Sequence, residues 1–274
     1  MRAAILQMRS GLDPAANTRT IVDAIASARA GGADMLFTPE MSNLIDQNRD
    51  RSGTRLRTEA EDETLAAVRD AARASSLWVH VGSLALLGED DMRLNRGFLI
   101  DGTGEIRARY DKIHLFDVDL PTGETWRESS VYARGGRAVA ADTPWGRLGL
   151  SICYDIRFPD LYRALTGAGA AILAIPAAFT VPTGRAHWHV LLRARAIEAG
   201  VFVVAAAQVG AHEDGRETFG HSLAVDPWGE VLLDMGPEPG LGFVDLDLGH
   251  VDTVRARVPA LRHRREIPPV EIAP

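Results

Sequence analysis

The stretch RLGLSICYDIRFPDLYRAL, residues 147–165, places a strand, a break and a helix in direct succession. The apolar run from Leu148 to Ile152 predicts a buried strand, and the acidic residue Asp160 after the break is typical of a helix's first turn. Cys153 therefore lies at a strand end, where ligands of open α/β sheets bind. Since a lone cysteine can also be a small buried hydrophobic residue, its position alone leaves both interpretations open.

The two halves of the chain repeat one order of predicted elements: strand, helix, strand, helix, strand and hairpin. In the first half these elements are predicted at residues 2–8, 15–30, 33–40, 61–76, 78–86 and 98–105. In the second half they are predicted at residues 148–153, 161–168, 169–177, 188–199, 201–209 and 223–230. Pro39 and Pro176 occupy matching positions in the two copies.

This repeat predicts the fold. Apolar strands that alternate with helices favour parallel pairing, while the hairpins add antiparallel strands, so each half should form a mixed sheet. Two such sheets packed face to face, with helices outside, bury every apolar strand. We therefore predict an α/β fold, a four-layer α-β-β-α sandwich, in a single domain over residues 1–274. Its two pseudo-duplicated parts cover about 1–145 and 146–250, and residues 251–274 form a C-terminal interface segment.

Composition and charge narrow the function. The 274-residue chain is 46% hydrophobic, carries a formal net charge of −7 and contains one cysteine. The charge argues against nucleic-acid or anionic-membrane binding, and the lone cysteine suits a reducing compartment, so a cytoplasmic protein is expected. No apolar segment approaches the roughly 20 residues that span a bilayer. Without a glycine-rich dinucleotide motif or a phosphate loop, no cofactor is expected.

Two further residues differ from what the scaffold requires. Glu40 follows Pro39 at a strand end, whereas the matching position of the second copy holds Ala177, so the carboxylate is a candidate for chemistry or else a solvated loop residue. Lys112 lies in a partly apolar run after the first hairpin; lysine is seldom buried unpaired, so it either reaches solvent or faces an anion.

Cysteine, glutamate and lysine at strand ends together supply a nucleophile, a proton acceptor and a fixed positive charge. The thiolate is the reactive form of Cys153, and Glu40 can take the thiol proton and later activate water. The ammonium of Lys112, with backbone N–H groups such as that of Tyr154, can stabilise the oxyanion of a tetrahedral intermediate. This combination predicts acyl transfer without a histidine.

The chain resembles the nitrilase superfamily of carbon–nitrogen hydrolases over essentially its whole length. The resemblance rests on PE at 39–40, DKIHLFDVDLP at 111–121 and GRLGLSICYDIRFPDLYRAL at 146–165. Within that superfamily, residues 114–121, 186–210 and 220–231 are most similar to the branch of deaminated glutathione amidase and the ω-amidases.

The resemblance implies a role for each matching residue. Cys153 matches the nucleophile, Glu40 the general base and Lys112 the oxyanion-stabilising cation, while Glu128 or the nearby Glu124 matches a second glutamate that orients substrate and lysine. It also implies the α-β-β-α fold, a homodimer or higher homo-oligomer, and an amidase that cleaves a small, carboxylate-bearing linear amide through a thioester. N-carbamoyl amino acids and nitriles are alternative substrates. The predicted substrate-binding residues are Tyr154, Ala177 and Phe179.

Three other interpretations remain open. A Cys–His hydrolase would place His114, His187 or His221 beside the cysteine. A metal site would use His187, His189, His212 and His221, but the i, i+2 spacing of the first two points their rings apart on a helix, and no acidic or cysteine cluster accompanies them, so no metal is expected. A non-catalytic scaffold would have lost one of Glu40, Lys112 or Cys153, and all three are present.

Overall fold

The computed structural model describes residues 1–89, 92–119, 123 and 125–273. Within these residues, twelve of the strands form two six-stranded mixed sheets. The first sheet contains, in spatial order, β16 (Gly240–Asp245), β1 (Arg2–Gln7), β2 (Met35–Phe37), β3 (Trp78–Leu87), β4 (Arg93–Ile100) and β5 (Ile106–Asp111). The second sheet contains β15 (Val231–Asp234), β14 (Leu223–Val225), β11 (Phe202–Ala205), β10 (Ile172–Ala174), β9 (Gly146–Leu150) and β8 (Val139–Thr143).

The remaining elements lie around the two sheets. Two short antiparallel ribbons are β6 (Asp117–Asp119) with β7 (Thr125–Arg127), and β12 (Val209–Ala211) with β13 (Glu217–Phe219). The α-helices are α1 (Pro14–Ala30), α2 (Arg49–Arg55), α3 (Glu63–Ser75), α4 (Pro159–Gly167), α5 (Val181–Ala199), α6 (Gly249–Arg257) and α7 (Ala260–His263). No helix among the described residues is long and apolar enough to cross a membrane.

Side-chain alternation in the strands produces the four layers. In β1, Ala3 and Ile5 belong to the core shared with the second sheet, whereas Ala4 and Leu6 pack with α1 and α3 on the opposite face. In β9, the absence of a side chain at Gly149 leaves room for Leu165 of α4, because a Cβ there would lie 3.2 Å from it. The predicted α-β-β-α sandwich is confirmed.

Each sheet contains one edge strand that comes from the other half of the chain. β8, which precedes residue 146, pairs antiparallel with β9, and β16, which follows the second hairpin, pairs antiparallel with β1. This reciprocal arrangement is what two fused copies with exchanged terminal strands would adopt. The duplication and its boundaries stay a prediction.

The predicted elements near the candidate site are shorter in the structure. β9 ends at Leu150, three residues before the end of the predicted strand 148–153, and β2 covers three residues of the predicted 33–40. After each of these two strands the backbone turns away from its sheet, at Ile152–Cys153 after β9 and at Thr38–Pro39 after β2. The candidate residues therefore lie on turns just beyond the strands.

Candidate active site

Cys153 begins a short 3₁₀ helix, Cys153–Arg157, three residues after the last residue of β9. Its φ of 48° lies in the left-handed region, which costs a residue with a side chain about 1–2 kcal/mol. The turn is held by the backbone N–H of Cys153, which donates to the carbonyl oxygen of Pro176 at 2.8 Å. As a result the thiol lines a cavity, although the residue is only 7% exposed.

Glu40 is placed by a close approach between two backbones. A Cβ at Gly82 of β3 would lie 2.1 Å from the carbonyl oxygen of Thr38 and 2.6 Å from that of Pro39, so glycine is required there. The carboxylate then reaches across to the second sheet, where the N–H of Ala178 donates to its Oε2 at 2.9 Å. One side chain thus spans the two halves of the chain.

Lys112 follows β5 and lies between two carboxylates. Its Nζ is 2.8 Å from Oε1 of Glu40 and 2.9 Å from Oε2 of Glu128. The side chains of Lys112 and Glu40 are 3% and 5% exposed, and that of Glu128 is 12% exposed. Glu128, which begins a second 3₁₀ helix, is therefore the glutamate beside the lysine; Glu124, the predicted alternative, lies outside the described residues.

Burial and these neighbours set the charge of each group. Burial favours the neutral acid at Glu40, but the adjacent Lys112 ammonium outweighs it and holds the pKa of Glu40 below its ordinary value. Burial lowers the pKa of Lys112, yet Glu128 and Glu40 raise it well above its usual range. Burial and the Glu40 carboxylate raise the pKa of the Cys153 thiol well above its ordinary value. The resting site therefore pairs an ionised Glu40 with a protonated Cys153.

The cavity that contains this cluster has a volume of about 630 Å³, the size of a small-molecule site. Its inner end is formed by Glu40, Lys112, Glu128 and Cys153, and its wall by residues of both halves. Arg49, Arg127 and Arg216 also line it. Such an arrangement can bind a small polar molecule and bring its carbonyl group to a thiol, a base and a cation at once.

The family model described as carbon-nitrogen hydrolase matches residues 2–256. The chain belongs to the carbon–nitrogen hydrolase family. It is 39% identical over 269 residues to a deaminated glutathione amidase of Yersinia enterocolitica, an alignment that covers 96% of this chain and 92% of the relative. The predicted family and the prediction of an amidase-type hydrolase are confirmed.

Two solved structures with similar sequences share the fold. The crystal structure of the Caenorhabditis elegans NitFhit protein matches with a TM-score of 0.90 at 39% identity, covering 96% of this chain and 65% of that one. A variant of an amidase from Nesterenkonia sp. AN1, with acrylamide added to its active-site cysteine, matches with a TM-score of 0.79 at 29% identity. That match covers 94% of this chain and 98% of the amidase.

Some of the other predicted site residues of this carbon–nitrogen hydrolase line the cavity and others do not. Tyr154 and Phe179 line it, whereas Ala177 is fully buried and its neighbour Ala178 lies at the wall instead. No histidine is among the residues that line the cavity in the described part of the chain. His114 instead contacts Asp155 through Nδ1, at 2.7 Å.

Two residues that hold the candidate catalytic groups in place were not predicted from the sequence. The side-chain amide of Asn95 in β4 donates to Glu40 at 2.9 Å and to Glu128 at 3.1 Å, so it bridges the two carboxylates. Asp155, fully buried, accepts hydrogen bonds from the Tyr110 hydroxyl at 2.7 Å and from the Ile152 N–H at 2.9 Å. Neither position belongs to a spacing pattern, because the contacts of Asn95 with the two glutamates and of Asp155 with Tyr110 join residues that are distant in the sequence.

The basic residues of the sequence contain a further indication that Lys112 has a special role. Lys112 is the only lysine of the chain, and the other 29 of its 30 basic residues are arginines. A chain that uses arginine everywhere else and lysine once indicates that this position needs a compact ammonium rather than a planar guanidinium. The structure shows why, since Nζ fits between two carboxylates in a buried site.

Among the histidines considered as metal ligands, two meet an acidic residue that the sequence spacing did not reveal. His189 and His221 both contact the carboxylate of Asp234, at 2.9 and 2.8 Å. His187, by contrast, contacts Arg157, and His212 contacts Ser10 and Thr218. The sequence spacing showed no acidic or cysteine cluster near these histidines, and it could not show this single carboxylate, because Asp234 comes from a different strand.

Proposed function

We propose that this chain hydrolyses a small linear amide to a carboxylic acid and ammonia, with Cys153 as nucleophile, Glu40 as general base and Lys112 as the oxyanion-stabilising cation. Glu128 orients the lysine. The observation that carries the proposal is the convergence of an ionised carboxylate, a protonated thiol and a buried ammonium at the inner end of one cavity.

The charge states support an ordered reaction. Glu40 takes the proton from the Cys153 thiol as sulfur attacks the carbonyl carbon, and Lys112 with the Tyr154 N–H stabilises the oxyanion. The proton passes from Glu40 to the leaving nitrogen, the carbon–nitrogen bond breaks, and ammonia leaves a thioester. Glu40 then removes a proton from water, the hydroxide attacks the thioester, and the acid departs as the thiol regains its proton.

The outer cavity supports a substrate with a carboxylate on its acyl part. Arginine side chains recognise carboxylates by paired hydrogen bonds, and Arg49, Arg127 and Arg216 line the cavity. Arg127 and Arg216 already pair with Asp119 and Asp214, so Arg49, which forms no ion pair among the described residues, is the candidate for the substrate carboxylate. The matched relatives that are called deaminated glutathione amidase point to the same class of amide. N-carbamoyl amino acids and aliphatic nitriles are the alternative substrates.

Ammonia release across four substrate sets tests the proposal: carboxylate-bearing ω-amides, matched amides without the carboxylate, N-carbamoyl amino acids and nitriles. We expect the first set to be fastest. Because Cys153 is the only cysteine, intact-mass analysis of the acid-quenched enzyme should show one acyl adduct. The Cys153→Ala protein should be folded, inactive and free of adduct. Wild-type turnover by that variant would contradict the assignment.

We further propose a homodimer in a reducing, cytoplasmic compartment. Val190 and Ile197 lie seven residues apart on α5 and are 68% and 53% exposed. Trp228 is also 53% exposed, and it precedes Gly229, which lies against Ile197. The predicted interface segment 251–274 also carries exposed Ile267 and Val270, which supports its role. Light scattering after size exclusion should give a dimer for the wild type and a monomer for Ile197→Asp; a monomeric wild type would contradict the proposal.

A further inference from the structure

A second cluster of chemically reactive side chains lies on the second sheet, away from Cys153. His189 on α5, His221 in the turn after β13 and Asp234 at the end of β15 each direct one donor atom to a common point, and these atoms all lie within 4.8 Å of one another. The Nε2 atom of His189 is 2.9 Å from Oδ2 of Asp234, and Nδ1 of His221 is 2.8 Å from Oδ1. None of the three lines the catalytic cavity.

The three donors are held in place by their surroundings. His221 has a φ of 53°, its N–H donates to the Gly236 carbonyl at 2.9 Å, and its own carbonyl accepts the indole N–H of Trp188 at 2.8 Å. The ring of Phe219 stacks on the His221 ring with centroids 4.4 Å apart. The Gly236 N–H also donates to Oδ1 of Asp234, at 2.9 Å. The donors therefore sit on a helix, a turn and a strand that are already fixed relative to one another.

The side chains remain open to solvent. His189, His221 and Asp234 are 36%, 25% and 33% exposed, so an ion can reach them without unfolding the chain. Two imidazole nitrogens and one carboxylate suit a borderline divalent transition metal better than magnesium or calcium, which prefer oxygen ligands. Three protein ligands leave a further coordination position for water.

We propose that His189, His221 and Asp234 form a binding site for one divalent transition-metal ion per chain, such as Zn²⁺. The ion would replace the two hydrogen bonds between the histidines and Asp234, with each imidazole neutral and bound through the nitrogen that now faces the carboxylate. It would connect α5, the His221 turn and β15. Thr218, which precedes the Phe219 that stacks on His221, lines the catalytic cavity, so the bound ion would brace that wall.

Calorimetric titration with Zn²⁺ tests the site on the full chain carrying Cys153→Ala, because that change removes the only thiol, the other strong zinc ligand. We expect one ion per chain and a higher thermal unfolding temperature with the metal. His189→Gln and Asp234→Asn should each weaken binding by more than about tenfold. His250→Gln is the matched control, since His250 contacts a single carboxylate, Asp226, at 3.4 Å, and it should bind as the parent does.

Visible absorption of bound Co²⁺ gives an independent readout, since a low-coordinate site with nitrogen ligands intensifies the d–d bands and the variants should lose them. Unfolding curves of the metal-free proteins verify that each variant is folded. The proposal is overturned if the parent binds no Zn²⁺, or if His189→Gln and Asp234→Asn bind it as tightly as the parent. Neither result would affect the proposed amidase chemistry.

Discussion

Lys112 is the residue at which the chain departs most clearly from its own composition. The ammonium is a compact point charge, whereas a guanidinium is planar and larger and would not fit between Glu40 and Glu128 in the same geometry. We expect Lys112→Arg to stay folded and to lose more than about a hundredfold in kcat, as when one oxyanion donor is removed. The measurement is steady-state ammonia release. Arg147→Lys, at an exposed ion pair with Asp142, is the control and should retain full activity; an active Lys112→Arg would refute the prediction.

The charge of Glu40 predicts the pH dependence of catalysis. Lys112 holds the pKa of Glu40 below its ordinary value, so the base is ionised at neutral pH and is lost only as the pH falls through that lowered pKa. Burial and Glu40 raise the pKa of Cys153, so the thiol stays protonated well above neutral pH. We expect kcat/KM to be flat from about pH 5 to pH 8. An inflection near pH 6.5 would instead indicate a catalytic histidine.

At the scale of elements, Asp155 joins the cysteine turn to the segment that carries the lysine. It accepts hydrogen bonds from Tyr110 and from His114, the residues two before and two after Lys112. Asp155→Asn leaves some of these buried donors without an acceptor, so we expect a loss of about 3 kcal/mol in the free energy of unfolding and a lower kcat. Urea denaturation measures the first. Asp160→Asn, on the exposed first turn of α4, should change neither, and an unaffected Asp155→Asn would contradict this role.

A second prediction at the scale of elements concerns β3, which passes close to the turn that carries Glu40. A methyl group at Gly82 would meet the Thr38 carbonyl oxygen at 2.1 Å, so Gly82→Ala must push the Thr38–Glu40 turn away. We expect a destabilisation of about 1–3 kcal/mol and a fall in kcat of at least about tenfold. Gly136→Ala, where nothing lies within 4 Å, is the control and should behave as the wild type. Full activity of Gly82→Ala would show that the turn tolerates displacement.

At the scale of the whole molecule, His80 is fixed in the core between the sheets. It is 2% exposed, its Nδ1 has no hydrogen-bond partner among the described residues, and burial lowers its pKa to about 3. The unfolded chain binds a proton at His80 below about pH 6.5 that the folded chain does not, so stability is lost as the pH falls from 6.5 towards 3. The expected loss is about 1.4 kcal/mol per pH unit in that window.

Urea denaturation at pH 7 and pH 5 compares the wild type with His80→Leu. The variant cannot take up this proton, so its stability should fall by about 2 kcal/mol less between the two values. An equal fall in both proteins would mean that His80 titrates normally in the folded state.

The repeated order of strands and helices was sufficient to predict the sandwich, because burying two sets of apolar strands leaves few arrangements of layers. Cys153, Glu40 and Lys112 were identifiable as a set, since together they supply a nucleophile, a base and a cation and lie in the motifs at 39–40, 111–121 and 146–165. Asn95 and Asp155 were not, because a polar residue within a strand or turn gives no sign of its partner until the strands pair. Which of Ala177 and Ala178 lines the cavity was not readable from the sequence either, since the direction of the backbone after Pro176 depends on the neighbouring strand.

The sequence by itself determined the layers, the three reactive residue types and the family, because periodicity and short motifs are properties of neighbouring residues. Only the tertiary structure decided the charge of each group, because a pKa depends on burial and on partners that are distant in the sequence, such as Glu40 and Lys112, which lie 2.8 Å apart. It also decided that Asp234 meets two histidines from other elements. Contacts of this kind form only when the chain closes its sheets.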